Sequence, residues 1–419
     1  MDVHSIRKEF PILRQKNRGK DLIYFDTAAT SLKPISVIEA ESKFYKEYGG
    51  SVHRSVYELG EKATNAFERS RKKIAHFIGA SDPASIIFTK GATESINLVA
   101  DAWGFQNLNK NDTILITNME HHSNIVPWQI IGKKTGATVK YIESTENGTI
   151  NIEELENHLN ANVKILAMTH TSNVFGTVNP VKAIIEKAHQ HGTLVLLDGC
   201  QSTPHIKINV EELDCDFFAF SGHKMLGPTG IGILYGKKDI LENMAPYQTG
   251  GGMIEDVTME KSTWTSIPHK FEAGSPLSAQ AISLGYAIDF LNQIGDNHIE
   301  TQKKLTLHAL EKLNDINGIT IYGNASERIP IISFNVENIH SLDIAQFLDF
   351  EGITLRSGHH CCKPLMNSLG ISSCARVSFY VYNTIEEIDI FIESTDKVLE
   401  KGLMKLFTKF IYENVKFSK

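Results

Sequence analysis

The sequence lacks an excess of either charge: 42 Lys and Arg stand against 49 Asp and Glu, a formal net charge of -7. With no basic surplus to draw in a polyanion, nucleic acid is not an expected partner and a small-molecule site is. No apolar run approaches the roughly 20 residues of a membrane span, and the first ten residues, MDVHSIRKEF, carry charge from the start, unlike a signal peptide. A cytoplasmic protein without membrane contact is expected. Cysteine is scarce. Cys200, Cys215, Cys361, Cys362 and Cys374 are an odd set without the regular spacing of a disulfide framework, so reduced thiols are expected. Repeats and low-complexity tracts are also missing. What remains is an ordinary globular composition, 42% hydrophobic over 419 residues, enough for two or three domains or one large α/β domain with an appendage.

From about residue 85 short apolar runs alternate with amphipathic stretches: SIIFT, ATESINLVADAW, TILIT, NIVPWQIIGKKTG, KILAMTH, VKAIIEKAHQHG, TLVLLDG. Strand and helix repeated in this way predict an α/β fold with a mainly parallel sheet. Such sheets bind ligands at the carboxyl ends of their strands. The residues that follow each run are therefore the candidates: TKGAT, NMEHHSN, THTSNVFG, DGCQS and SGHK. The stretch 244–276, with three consecutive glycines and little periodicity, reads as a long loop region, and LSAQAISLGYAIDFLNQIG after it as a helix that leaves the first domain. RIPIISFNV and RVSFYVY among helical stretches suggest a smaller α+β domain. The basic C-terminal stretch 398–419 reads as a surface helix packing its Leu and Phe residues on the domain.

Three of these strand ends carry complementary chemistry. Gly91, Ala92 and Thr93 open a helix with free N–H groups that suit a phosphate. Asp198 ends a very apolar strand, where a carboxylate can cap a helix or pair with a cationic ring nitrogen. Ser221, His223 and Lys224 end another, and a lysine at a sheet edge is either solvated or a desolvated imine-forming amine. A phosphate cradle, a carboxylate and an amine in this order describe pyridoxal phosphate. His121, in MEHHSN, can stack on its ring or relay a proton. A serine β-lactamase reading, from Ser221 and Lys224 as S-x-x-K with Lys134 to Gly136 as K-T-G, fails on the order of the two elements.

With those residues in hand, the chain resembles the class V aminotransferase-like fold, and within it the SufS group of cysteine desulfurases and selenocysteine lyases. The likeness runs through YFDTAATSLKP, SVHRSVYELGEKAT, KGATESINLVA, MEHHSNIVPWQ, THTSNVFGT, LLDGCQS, SGHKMLGPTGIGILYG, FEAGSP, RSGHHCCKPLM and ARVSFYVYNTIEEID. It implies a large pyridoxal-phosphate domain over 26–292, a small domain from 1–25 and 293–419, and a homodimer. It implies an activity that takes sulfur from L-cysteine, or selenium from L-selenocysteine, for iron–sulfur cluster assembly. Carried over by position, Lys224 is the Schiff-base lysine, Asp198 the ring-nitrogen partner, His121 the stacking and proton-handling residue and Gln201 a donor to the ring oxygen. Thr93, Ser221 and His223 hold the phosphate, with Ala92 beside them where a second hydroxyl is common, and Ser275 reaches the phosphate of the neighbouring subunit. Asn173, Arg356 and Arg376 hold the substrate carboxylate, and Cys361 is the nucleophile. A transaminase or a kynureninase-like lyase of the same fold would share this set without needing Cys361.

The run His359, His360, Cys361, Cys362 also admits a metal or cluster-binding reading. Zinc ligands, however, are usually separated by two to four residues so that a turn can aim them at one ion. A vicinal disulfide between Cys361 and Cys362 would be strained and readily reduced. In extended backbone adjacent side chains point to opposite sides, so only one of the two thiols is expected to face a cofactor. Gly358 suggests a mobile loop. For the sulfur acceptor, relatives that serve a zinc-containing SufU-type protein carry a histidine where this chain has Leu342, with His340 nearby, and a SufE-type acceptor is expected.

Overall fold

The computed structural model describes residues 2–401. Seven runs form the main sheet: β1 (Ile86–Thr89), β2 (Thr113–Thr117), β3 (Thr138–Ile142), β4 (Val163–Thr169), β5 (Leu194–Asp198), β6 (Phe217–Ser221) and β7 (Gly232–Gly236). They lie in the order β1-β7-β6-β5-β4-β2-β3. β6, β5, β4, β2 and β3 are parallel, and β7 alone runs against its neighbours β1 and β6. Every residue of β1, β2, β6 and β7 is buried. Helices cover both faces of such a sheet, so its strands read as continuous apolar runs and not as alternation. Only the edge strand β3 shows exposed positions, among them Lys140 and Tyr141.

Because β7 reverses between β1 and β6, the carboxyl ends of β1, β2, β4, β5 and β6 all meet at one edge of the sheet. A second sheet faces that edge, built antiparallel from β8 (Ile319–Tyr322), β9 (Ile331–Val336), β10 (Arg356–Gly358) and β11 (Cys374–Ser378) in the order β8-β9-β11-β10. Its own core includes Ile332, Phe334, Val377 and Phe391. The segment from Ile23 joins the two sheets: Ile23 and Tyr24 pair with Ile353 and Thr354, Asp26 bridges to Ser378, and the Ser31 amide donates to His223 O just after β6.

One sequence expectation needs revision. The stretch 244–276 contains an antiparallel hairpin, Ile254–Val257 with Ser262–Trp264. Its residues are almost all exposed on both faces, so the alternation that betrays a strand is missing. The helix Ser278–Ile294 packs along the helices Ile35–Lys43 and Glu58–Phe77, and the chain continues into the helix Asn297–Asn314. Of the basic C-terminal stretch, residues up to Lys401 complete the helix Ile385–Lys401, and 402–419 lie outside the described residues. No helix among the described residues is long and apolar enough to cross a membrane.

Candidate active site

A cavity of about 170 Å³ opens where the carboxyl ends of the main sheet face β10 and β11, and Lys224, Asp198, His121 and Cys361 all line it. Each wall is placed by a strand end. β1 stops at Thr89 and the chain turns through Gly91 into the helix Ala92–Leu98, with the Ala92 amide donating to Ser221 Oγ at 2.9 Å. That turn lies directly on β7. A Cβ at Gly232 would come within 2.3 Å of Gly91 Cα, so glycine is needed there. Thr93 Oγ1 is 2.7 Å from Ser123 Oγ, which is 3.0 Å from His121 Nδ1. His121 Nδ1 also accepts the Ser123 amide at 3.1 Å, so the ring proton sits on Nε2. Burial, and then the nearby Lys224, push His121 down to about 4, and the imidazole is neutral at physiological pH.

Lys224 stands in the short turn Gly222–Lys224 just after β6. The carbonyl that precedes it, His223 O, accepts from Ser31 N at 3.0 Å, Ser31 Oγ at 3.0 Å, Thr30 Oγ1 at 3.1 Å and Lys33 Nζ at 2.7 Å. Four donors on one oxygen fix the peptide that carries the lysine. Burial pushes Lys33 down to about 7 and, with Lys224 and Lys33 beside it, His223 down to about 4. Asp198 accepts the Cys200 amide at 2.9 Å. Gln201 stands behind this wall. Its Nε2 donates to Ala28 O at 2.8 Å and its Oε1 is buried without a partner, so the second amide hydrogen and the amide oxygen are both left unpaired.

The opposite wall is cationic. Arg356 and Arg376 face each other across β10 and β11, a like-charge pair that is unfavourable unless an anion lies between. Asp26 supplies one, at 3.3 Å from Arg376 and 3.8 Å from Arg356. Burial raises its carboxyl even so. Arg376 also donates to Asn173 O at 3.0 Å, while its Nε is buried without a partner. A small carboxylate suits that unpaired, fork-shaped donor.

The run at 359–362 is not extended. His360 and Cys361 have φ of 50° and 55°, a left-handed pair, and this turn, not strand alternation, separates the two thiols. Cys361 lines the cavity. Cys362 is fully buried with Sγ 3.3 Å from both Met119 O and Glu120 O, and burial pushes its thiol up. His360 Nε2 lies 3.0 Å from Cys374 O, and His359 Nδ1 accepts the Cys361 amide at 3.1 Å. Three of the four side chains turn to separate partners and the fourth, Cys361, to the cavity. Among the described residues the one gathered set of metal-type ligand atoms is His53, Glu68 and His269. There both Glu68 oxygens are engaged by Arg71, at 2.9 and 3.2 Å, which marks an ion-pair network.

Thus eleven expected residues line one cavity: Ala92, Thr93, His121, Asn173, Asp198, Ser221, His223, Lys224, Arg356, Cys361 and Arg376. Gln201 lies behind it. Ser275 lies elsewhere, lining a separate surface pocket with Ser51 to Arg54. The sequence reading missed Asp26, Lys33, Ser123, Cys200 and His360. Asp26 and Lys33 sit in the quoted YFDTAATSLKP, but their partners are about 190 to 350 residues away, a distance that no local pattern reports. Amine, carboxylate, hydroxyls and the unpaired buried Nε of Arg376 match the aldehyde, ring nitrogen and phosphate of pyridoxal phosphate and the carboxylate of an amino acid beside it.

Residues 23–391 match the aminotransferase class-V family. A protein of Halalkalibacterium halodurans named "Probable cysteine desulfurase" is 52% identical over 401 residues, 96% of this chain and 98% of that one. One of the same name from Staphylococcus aureus is 47% identical over 95% of this chain and 97% of its own. Among solved structures, the apo cysteine desulfurase of Thermococcus onnurineus superposes with a TM-score of 0.90 at 38% identity, over 95% of this chain and 98% of that one. The Escherichia coli cysteine desulfurase CsdA superposes with a TM-score of 0.89 at 35% identity, over 96% and 99%.

Proposed function

The chain belongs to the class-V aminotransferase family and is a pyridoxal-phosphate-dependent enzyme of the cysteine desulfurase kind, and on that premise we propose that it converts L-cysteine to L-alanine and keeps the sulfur as a persulfide on Cys361. The observation that carries this reading is the presence of the Lys224 amine and the Cys361 thiol in one cavity, beside an arginine pair suited to a carboxylate. Thr93, Ser221 and His223 would hold the phosphate, Asp198 the ring nitrogen and Lys224 the aldehyde carbon. When bound, the cofactor supplies an electron sink for the bonds at the substrate's α-carbon.

This chain's own residues do the rest. Arg376, held by Asp26 and Asn173 O, pairs with the substrate carboxylate, and Arg356 adds a second cation from the open side. Lys224 Nζ takes the α-proton and carries it back to the three-carbon fragment, while neutral His121, its proton on Nε2, donates a hydrogen bond into the cavity and orients the reacting groups. The Cys361 thiolate then attacks the substrate sulfur: an S–S bond forms, the carbon–sulfur bond breaks, and protons returned to the three-carbon fragment leave L-alanine. The balance is one thiol and L-cysteine to one persulfide and L-alanine, with no outside oxidant. L-Selenocysteine would be handled by the same groups.

The persulfide is taken to feed iron–sulfur cluster assembly, through a SufE-type thiol acceptor. Support comes from His340, whose Nδ1 already caps its own helix at the Leu342 amide, 3.2 Å away, and from Leu342, exposed where a zinc-exchanging histidine would stand. A SufS-type homodimer is supported by Ser275, which faces away from its own cavity, and by Val56 and Met259, both almost fully exposed. The test is to treat purified protein with L-cysteine and measure alanine together with the sulfur bound to each thiol. Alanine with persulfide on Cys361 is expected. Alanine or pyruvate formed without any protein persulfide would overturn the reading.

A further inference from the structure

The inner side of the 359–363 turn is held by groups that do not titrate near neutrality. Asn173 Nδ2 donates to His360 O at 2.7 Å, and the Cys362 thiol meets Met119 O and Glu120 O at 3.3 Å. The outer side depends on imidazoles. The His122 amide donates to Cys361 O at 2.8 Å, and His122 Nε2 accepts the Lys363 amide at 3.1 Å. His359 Nδ1 accepts the Cys361 amide, with its ring 5.4 Å from that of His122. Between these contacts lie the two left-handed residues His360 and Cys361, a conformation that costs about 1–3 kcal/mol per residue and persists only when its surroundings impose it. Resting on the reading of Cys361 as the sulfur acceptor, we propose that His122 is a positioning residue for the nucleophile: its neutral ring, by accepting the Lys363 amide, latches the turn so that the Cys361 thiol faces the cavity.

Because Nε2 is the acceptor, the ring proton of His122 is on Nδ1. A second proton would set one N–H against another and open the latch. The titratable groups packed around it are His121 on its own segment and His359 and Lys363 on the turn, while Asp101, across the adjoining surface groove, is paired with Lys134 at 3.1 Å. Burial, and then His359 and Lys363, hold His122 below the ordinary imidazole range. The latch is therefore closed at neutral pH.

Amide hydrogen exchange of the cofactor-loaded enzyme, without L-cysteine, tests this on the fragment covering 359–366. His122→Ala should speed exchange there by about tenfold, the loss of one hydrogen bond and of the strained turn it imposes. His122→Gln, whose amide oxygen can accept the same N–H, should restore most of the protection. Corrected for intrinsic rates, the native enzyme should lose protection in this fragment as the pH falls below neutrality, and the Gln variant, which keeps only the His359 acceptor as a titrating contact, should lose clearly less. Exchange in His122→Ala within about twofold of the native enzyme would overturn the proposal. If that variant does not fold, matching pH profiles for the native and Gln proteins would overturn it equally. No turnover is read, so an enzyme that fails to release alanine would defeat the activity assigned above and leave the latch standing.

Discussion

At the scale of single residues, Cys361 and Cys362 differ in everything except their chemistry. One lines the cavity and the other is sealed against backbone carbonyls. Cys361→Ser is expected to keep the cofactor's absorbance and lose persulfide and alanine formation by about a hundredfold or more. Cys362→Ala should keep both and lose about 1 kcal/mol of stability, the value of one weak buried hydrogen bond and a small void. Persulfide found on Cys362 would contradict this. His121 was legible as a candidate from MEHHSN, but its neutral tautomer was not. That tautomer is set by the Ser123 amide and hydroxyl, and its protonation by burial. No acid limb from His121 is therefore expected in the pH–rate profile near pH 6.5, the ordinary histidine value; such a limb, abolished by His121→Gln, would count against the assignment.

At the scale of elements, the strand ends act as a set. Gly91 to Thr93 can reach Ser221 only because β7 offers no side chain at Gly232. Gly232→Ala is expected to push this turn off the sheet, weakening retention of pyridoxal phosphate about tenfold or more and costing about 1–3 kcal/mol, as overpacking against backbone does. Equilibrium dialysis and urea unfolding read the two effects; unchanged retention would show that the turn does not hold the phosphate. The strands were legible because each is a buried apolar run. The hairpin Ile254–Val257 with Ser262–Trp264 was not, since it is exposed on both faces and carries no periodic signal. The antiparallel direction of β7 was illegible for a different reason: a run buried on both faces has the same composition whichever way it points.

At the scale of the whole molecule, burial sets the response to acid. His170 and His205 are pushed down to about 4 by burial, and His360 to about 2. In the unfolded chain each takes up a proton near 6.5, the ordinary histidine value, while the folded chain resists it. Stability is therefore lost as pH falls from about 6.5 toward 4, by about 2 kcal/mol per histidine at pH 5. Glu120, pushed up to about 8 by burial, has the opposite sign: it is neutral in the fold, and its contribution is lost as pH rises from the ordinary carboxylate range to about 8. With His121 and His223 pushed down in the same way, the histidines outnumber it, so urea unfolding should show a net loss of about 5–8 kcal/mol between pH 7 and pH 5. A flat or rising profile would refute the assignment of neutral buried imidazoles. What the sequence by itself determined is the kind of fold and the kind of site, because apolar runs followed by Asp198, Lys224 and the Gly91–Thr93 turn are local facts. Which groups face one another was decided only by tertiary structure. Arg356 beside Arg376 with Asp26 between them, Lys33 on the His223 carbonyl, and Cys361 turned inward while Cys362 is sealed all join residues far apart in the chain or rest on backbone angles that other segments impose. Packing specifies such contacts, and no short stretch of sequence contains them.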